Sequence, residues 1–238
     1  MSAFLYGVFL QWKLDMRNKG VLLTYYVVPL VFFAFMGGIF SSINPEAKNT
    51  LIQSMTVFGV TMGAILGAPT PLVELYGSEI KKAYKVGGIP LWVAAVNNFI
   101  SAFIHLYIMS LVILLIAPLA FDAKTPENVA LYFLALGIFI FVCLTVGTGL
   151  GLLIKSTSKL TMVSQFIFLP SIMLAGIMFP VSMLPKVLAT LSRIFPATWG
   201  FKLLTSKDFD VNILIPLVVI MFVSIYISYY KLLRINLE

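Results

Sequence analysis

Long apolar runs and short polar breaks alternate along the 238 residues of the chain. Six runs stand out, near residues 21–41, 51–73, 91–119, 129–153, 160–179 and 211–231. A bilayer core of ~30 Å asks for about 20 mostly apolar residues per helix, and the runs meet that length. Backbone groups in lipid need partners within their own segment, so the runs are expected to be membrane-spanning helices. Residues 1–19 carry a different pattern. Phe4, Val8 and Trp12 recur every fourth residue, with Leu5 and Phe9 beside them, and Asp15, Arg17 and Lys19 follow. That spacing predicts an amphipathic helix lying in the membrane interface, apolar side toward lipid.

Two connections carry patterns of their own. Residues 74–86 read ELYGSEIKKAYKV. Only Gly77 opposes a helix there, and Gly87-Gly88 with Pro90 end it. Tyr76, Ile80 and Tyr84 fall at four-residue spacing and form an apolar face, framed by Lys81, Lys82 and Lys85. An exposed apolar face of this kind suits docking onto a cytosolic partner. Before the last run, residues 180–207 are punctuated by Pro180, Pro185 and Pro196. Leu184, Val187, Leu188, Leu191 and Phe195 recur there at helical spacing among Lys186 and Arg193. This predicts a short re-entrant or interfacial helix dipping into the outer face of the membrane.

Composition strengthens the membrane reading. The chain is 61% hydrophobic and 11% charged, against roughly 45–50% and about 25% in soluble domains. Its mean hydropathy is +1.04. The fold class expected is an all-α integral membrane protein with six spans in a single transmembrane domain. The net charge of +7 does not point to nucleic acid, because the basic residues lie between the apolar runs. With both termini cytoplasmic, the inner segments hold ten basic residues: Lys13, Arg17, Lys19, Lys81, Lys82, Lys85, Lys155, Lys159, Lys231 and Arg234. The outer segments hold six: Lys48, Lys124, Lys186, Arg193, Lys202 and Lys207. That bias favours cytoplasmic termini. No secretory signal peptide is expected, and the single Cys143 cannot form an intrachain disulfide.

The chemistry-bearing residues are few. There is no G-x-x-x-x-G-K-[ST] phosphate loop, so ATP binding by this chain alone is not expected. His105 is the only histidine, which excludes a metal cluster built on several imidazoles. No Asp or Glu lies inside a run, so a Ser-His-Asp nucleophile at His105 lacks its carboxylate. His105 itself lines a polar path or is a neutral imidazole bonded to a neighbouring helix. Gly59, Gly63 and Gly67 share one face of the second run, and Gly147 and Gly151 one face of the fourth. Small residues at that spacing mark close helix packing. Ser164, Gln165 and Pro170 suit a mildly polar, kinkable fifth helix, facing either a substrate path or a neighbour.

Taken together, these features resemble the permeases of type-2 ABC transporters. "ELYGSEIKKAYKVGGIP" is similar to that family's Glu-x-x-Gly-Ser/Thr…basic…Pro segment. "GIMFPVSMLPKVLATLSRIFPATWGFKLL" resembles its Gly-x-x-Phe-Pro…Leu-Pro…Pro stretch. The resemblance covers essentially the whole chain. It implies a half-transporter that pairs with a second permease copy or a similar chain, and with two copies of a separate cytosolic ATPase, which binds ATP and Mg. Residues 74–86 would be the coupling helix, with Glu74, Tyr76, Glu79, Ile80, Lys81, Lys82, Tyr84 and Lys85 at the ATPase. Spans two and five would line the path, and His105, Gln165, Phe168 and Met173 are its candidate residues. Phe179, Pro180, Pro185 and Pro196 would form the outer gate. The implied setting is a prokaryotic plasma membrane. The implied cargo is an amphipathic drug, antibiotic or hydrophobic peptide, with a lipid or polysaccharide as the other option. An ion-gradient-driven carrier and a non-transporting immunity or scaffold protein are the remaining readings.

Overall fold

Helix is the only regular structure in the computed structural model, which describes residues 3–43, 45–78, 80–208 and 210–237. The side chains of residues 3, 41, 43, 45, 85, 236 and 237 lie outside that description. Helix α1 is Ala3–Arg17, and Asn18 then caps the next helix by accepting from the Gly20 and Val21 amides. Helix α2 spans residues 19–43 and α3 is Leu51–Gly77. The short α4, Ile80–Val86, leads to α5, Leu91–Phe121, and α6, Val129–Leu153. Then come α7, Thr157–Leu174, two short helices, α8 Lys186–Leu191 and α9 Pro196–Thr205, and finally α10, Val211–Leu237.

Five of these, α2, α3, α5, α6 and α10, are long and apolar enough to cross a membrane. The expected fifth span does not reach 179. Helix α7 starts among Thr157, Ser158 and Lys159 and stops at Leu174, because the chain turns at Gly176, whose φ of 88° suits glycine alone. At 1.5 Å per residue its 18 residues cover about 27 Å.

Helix α3 is the centre of the molecule. Of its most apolar stretch, 94% is buried inside the chain, whereas the corresponding figure for α10 is 6%. Its glycines let neighbours press close. A Cβ on Gly59 would strike Met109 and Pro29, and one on Gly63 would strike Leu106 and Tyr25. From the other side, a Cβ on Gly147 would collide with the Ala64 carbonyl, and one on Gly151 would lie 2.9 Å from the Pro69 oxygen. Spans two and four therefore meet backbone to backbone.

The expected roles of the two amphipathic segments change in the structure. Helix α1 packs along α5 with the face that carries Gly7, Val8, Gln11, Trp12 and Asp15. Asp15 is 2% exposed, Gly7 sits against Asn97, and Trp12 stacks on His105, while Leu5, Tyr6, Phe9, Leu10 and Leu14 face outward. The Phe4–Val8–Trp12 stripe is thus divided rather than turned wholly to lipid. A buried carboxylate needs partners, and the one that Asp15 finds outside its own helix, Ser101, is on α5, which favours this rotation of α1.

The segment before α10 also differs. The stripe of Val187, Leu188 and Leu191 on α8 is exposed. The inserted helix is α9, which packs against α3, α6, α7 and α10. Its Pro196, Ala197, Thr198, Gly200, Leu203 and Leu204 are buried, and Gly200 lies on the Phe139 ring. Thr198 donates to the Ser192 carbonyl at 2.7 Å and Trp199 Nε1 to that of Arg193 at 2.8 Å, which pins the start of α9.

Candidate functional site

Prolines shape the region between α2 and α3. Proline has no N–H to give and its ring crowds the carbonyl four residues back, so a helix widens around it. Both helices do so in the same way. The Val28 amide donates to Leu23, and the Ala68 amide donates to Gly63 at 2.8 Å, each reaching five residues back. Pro29 and Pro69 follow at once. The two widened turns, Leu23–Val27 and Gly63–Gly67, pack on each other. Tyr25 fills the glycine side: a Cβ on Gly67 would lie 2.7 Å from its ring and 2.8 Å from the Thr24 hydroxyl. Such turns are common at functional sites.

Below these turns, toward the end of the molecule that carries α4, lies a cavity of about 370 Å³ between α2, α3 and α7. Its polar lining comes from Asn18, Thr24, Thr70, Glu74, Thr161 and Gln165. The threonine hydroxyls are turned back on their own helices, Thr24 to Gly20 and Val21, Thr70 to Leu66 and Thr161 to Thr157. Glu74 and the exposed Gln165 are left as its charged and amide groups. The volume falls within the ~300–1,000 Å³ typical of small-molecule pockets.

Of the four residues expected along a path, Gln165 alone borders this cavity. Phe168 is buried against the Phe58 ring at 5.7 Å, and Met173 faces outward with Phe166 and Leu169 on the free side of α7. Helix α3 is enclosed by its own chain along its most apolar stretch, and its exposed residues, Glu74 and Gly77, lie at its end. From Met62 to Glu74 it borders the cavity. Of the gate residues, Phe179, Pro180 and Pro185 are exposed and Pro196 is buried at the head of α9.

His105 is fully buried, stacked between Trp12 at 5.8 Å and Tyr25 at 5.3 Å between ring centres. Its Nδ1 lies 2.8 Å from the Tyr26 hydroxyl. The expectation that no carboxylate stands beside it is overturned. Asp15 Oδ2 is 4.0 Å from His105 Nε2. Asp15 also accepts from Ser101 Oγ at 2.6 Å and from Gln11 Nε2 at 2.9 Å. The partner comes from α1, outside every span, so a search within the apolar runs misses it. The pairs Gln11/Asp15 and Ser101/His105, each four residues apart on one helix face, were the signal available. Burial holds the Asp15 carboxyl above its ordinary range, against the two hydrogen bonds. Ser101 donates to the carboxylate and not to the imidazole, so the order required to activate a serine nucleophile is absent.

The expected coupling helix is not one helix. Its first part, through Gly77, is the end of α3. Ser78 is extended, and its hydroxyl accepts from the Ile80 amide at 3.3 Å, starting α4 afresh. The apolar face is split accordingly. Tyr76 donates to the Leu91 carbonyl at 2.6 Å, and Tyr76 and Tyr84 pack on a small cluster of Leu91, Leu152 and Ile235. Outward-facing apolar residues are Ile80, 52% exposed, Val86, 91% exposed, and Ile89. Glu74 and Lys82 are exposed and Lys81 half-buried. Glu79 and the side chain of Lys85 lie outside the described residues.

The family model described as ABC-2 type transporter matches residues 4–209. No curated protein matches the chain.

Proposed function

Because the chain belongs to the ABC-2 type transporter family, and is thereby the multi-pass permease part of an ABC transporter, we propose that it is the membrane half of an ATP-driven exporter. A separate cytosolic ATPase, present in two copies, binds ATP and Mg and supplies the work. A second permease, identical or similar, completes the complex through the free side of α7. Helix α7 makes the sixth crossing, both termini are cytoplasmic, and the membrane is the plasma membrane of a prokaryote.

The observation that carries this reading is the position of the cavity. It lies toward the α4 end, and Glu74 in its lining is one turn before the Gly77–Ser78 break that begins α4. A push on α4 therefore reaches the last turns of α3 first. The widened turn at Gly63–Gly67, followed by Pro69 and Pro71, has lost regular i→i−4 bonding and is where α3 can bend. Bending there changes the gap between α3 and α7, and with it the cavity. Its lining of neutral polar groups, apolar side chains and one carboxylate suits an amphipathic, neutral or cationic small molecule or hydrophobic peptide. The segment from Phe179 to Pro196 closes the far end.

The test is co-purification with the candidate ATPase, followed by reconstitution. A stable four-subunit assembly whose hydrolysis drives efflux is expected. Gln165→Trp fills the cavity and should stop efflux while the assembly remains intact. Transport that follows an ion gradient and ignores the ATPase overturns the proposal.

A further inference from the structure

A second cavity, of about 350 Å³, lies at the end of the molecule opposite α4 and has no part in the transport mechanism above. Four parts of the chain wall it: the start of α3, the connection after α5, the start of α6 and the end of α9. In its lining stands Gln53, 6% exposed, whose amide oxygen has no hydrogen-bond partner. Buried polar atoms are nearly always paired, so an unpaired one in a cavity wall calls for an occupant. We propose that this cavity binds a neutral, hydroxyl-rich group of the kind a sugar ring presents.

Charge and hydrogen-bonding capacity select that class. A carboxylate or phosphate only accepts hydrogen bonds and would leave the Gln53 oxygen unpaired. An ammonium group only donates, and it would meet Lys124 and Lys207 in the same wall. Glu127 is the one carboxylate among the described lining residues, and Lys207 already holds it at 3.2 Å. A hydroxyl both donates and accepts, so it can satisfy whichever end of the Gln53 amide it meets.

The rest of the wall is mixed in the same way. Thr205 donates to the Phe201 carbonyl at 2.8 Å and Ser206 to that of Asp208 at 2.6 Å, which leaves both hydroxyl oxygens able to accept. Asn128 spends its oxygen on the Leu131 amide at 3.0 Å and keeps its N–H groups to donate. Leu131, Leu203 and Leu204 supply an apolar side, which suits the C–H face of a sugar ring. A peptide group also donates and accepts, but it offers one such pair per residue, whereas a sugar ring carries a hydroxyl on most of its carbons. The volume falls within the ~300–1,000 Å³ typical of small-molecule pockets. An occupant would bridge α9 to α3 and α6.

The experiment uses the full chain in nanodiscs without an ATPase. Both faces are then open to solution, so its outcome is independent of the transport reading and of the topology. Thr205→Cys in a Cys143→Ser background reports on the cavity through its rate of maleimide labelling. The probes are the methyl glycosides of glucose, galactose, mannose and N-acetylglucosamine. At least one should slow labelling several-fold and saturably. Gln53→Leu should abolish that protection without lowering the unfolding temperature, because the amide oxygen has no bond within the chain to lose. Thr161→Cys, in the cavity between α2, α3 and α7, should label at one rate with and without the glycoside. Failure of all four glycosides, protection that survives Gln53→Leu, or equal slowing at Thr161→Cys would each overturn the sugar site. So would stronger protection by glycylglycinamide, or a marked loss of thermal stability in Gln53→Leu.

Discussion

Helices α3 and α10 cross the same layer and are built in opposite ways. Helix α3 has Gln53, Ser54, Thr56 and Thr61 among its buried residues and three glycines on one face, and it is enclosed by the chain. Helix α10 is the more apolar of the two, and it turns Val218, Val219, Phe222, Val223 and Tyr226 outward. In water the apolar helix would be the core. In lipid, apolar surface gains nothing by leaving its solvent, so helices associate through small residues, close packing and hydrogen bonds. The Thr56 hydroxyl, 3.0 Å from that of Tyr132, is one such link. The helix that occupies the centre is the one whose backbone can be approached.

The sharpest way to break this contrast is to add bulk on each side of it. Gly147→Leu puts a side chain against the Ala64 carbonyl of α3. Overpacking costs roughly 1–3 kcal/mol, and with backbone as the obstacle the upper end is expected. Folded protein should be lost on size-exclusion chromatography, while Val219→Leu on α10 elutes as wild type. Equal damage from both would mean that α10 is packed against a partner as tightly as α3 is within the chain.

The Asp15 network extends the contrast to α1. Asp15→Ala leaves Ser101 without its carboxylate acceptor and His105 without its neighbour, costing about 1–3 kcal/mol. A cysteine placed at Val8 should become several-fold more reactive as α1 loosens. The same docking depends on pH. The carboxyl's affinity for a proton is raised when docked, so docking is tightest in acid. It weakens as pH climbs above the ordinary carboxylate range toward the raised value. Asp15→Asn should flatten that dependence.

A smaller effect separates the two sides of α4. Ile80→Ala with Val86→Ala should weaken ATPase association about tenfold, or ~1.4 kcal/mol, in a pull-down. Tyr84→Ala acts through the seat of the helix within its own chain and should lower thermal stability as well. The smallest effect belongs to Lys207, whose 3.2 Å pair with Glu127 is exposed on both sides. Lys207→Ala should cost ~1 kcal/mol or less, below the scatter of most unfolding measurements on membrane proteins.

The long apolar runs were legible because length and hydropathy are all that crossing a bilayer demands. Pairings between segments were not. Asp15 read as part of a polar tail because its partners, Ser101 and His105, lie more than eighty residues away. The break at Ser78 was hidden because Gly77 alone does not distinguish a weak helix position from a boundary; the hydroxyl bonded to Ile80 decides it. Helix α9 was missed for a related reason. Ala197, Gly200 and Leu203 form a narrow stripe of mostly small residues, and the neighbouring leucines of α8 make the stronger periodic signal. Of the candidate cavity, Gln165 was visible as a polar residue in an apolar run. The widened turns above it depend on a proline in each of two different helices, Pro29 and Pro69.

The central claim is that force applied at α4 reshapes the cavity between α3 and α7. Cysteines at Thr70 and Thr161, which both line that cavity, report on it directly when introduced into a Cys143→Ser background. Disulfide yield is measured in reconstituted complexes with the ATPase, with and without ATP and vanadate. The account predicts a several-fold change in yield on nucleotide trapping, abolished by Ile80→Asp in α4. An identical yield in every condition would contradict it.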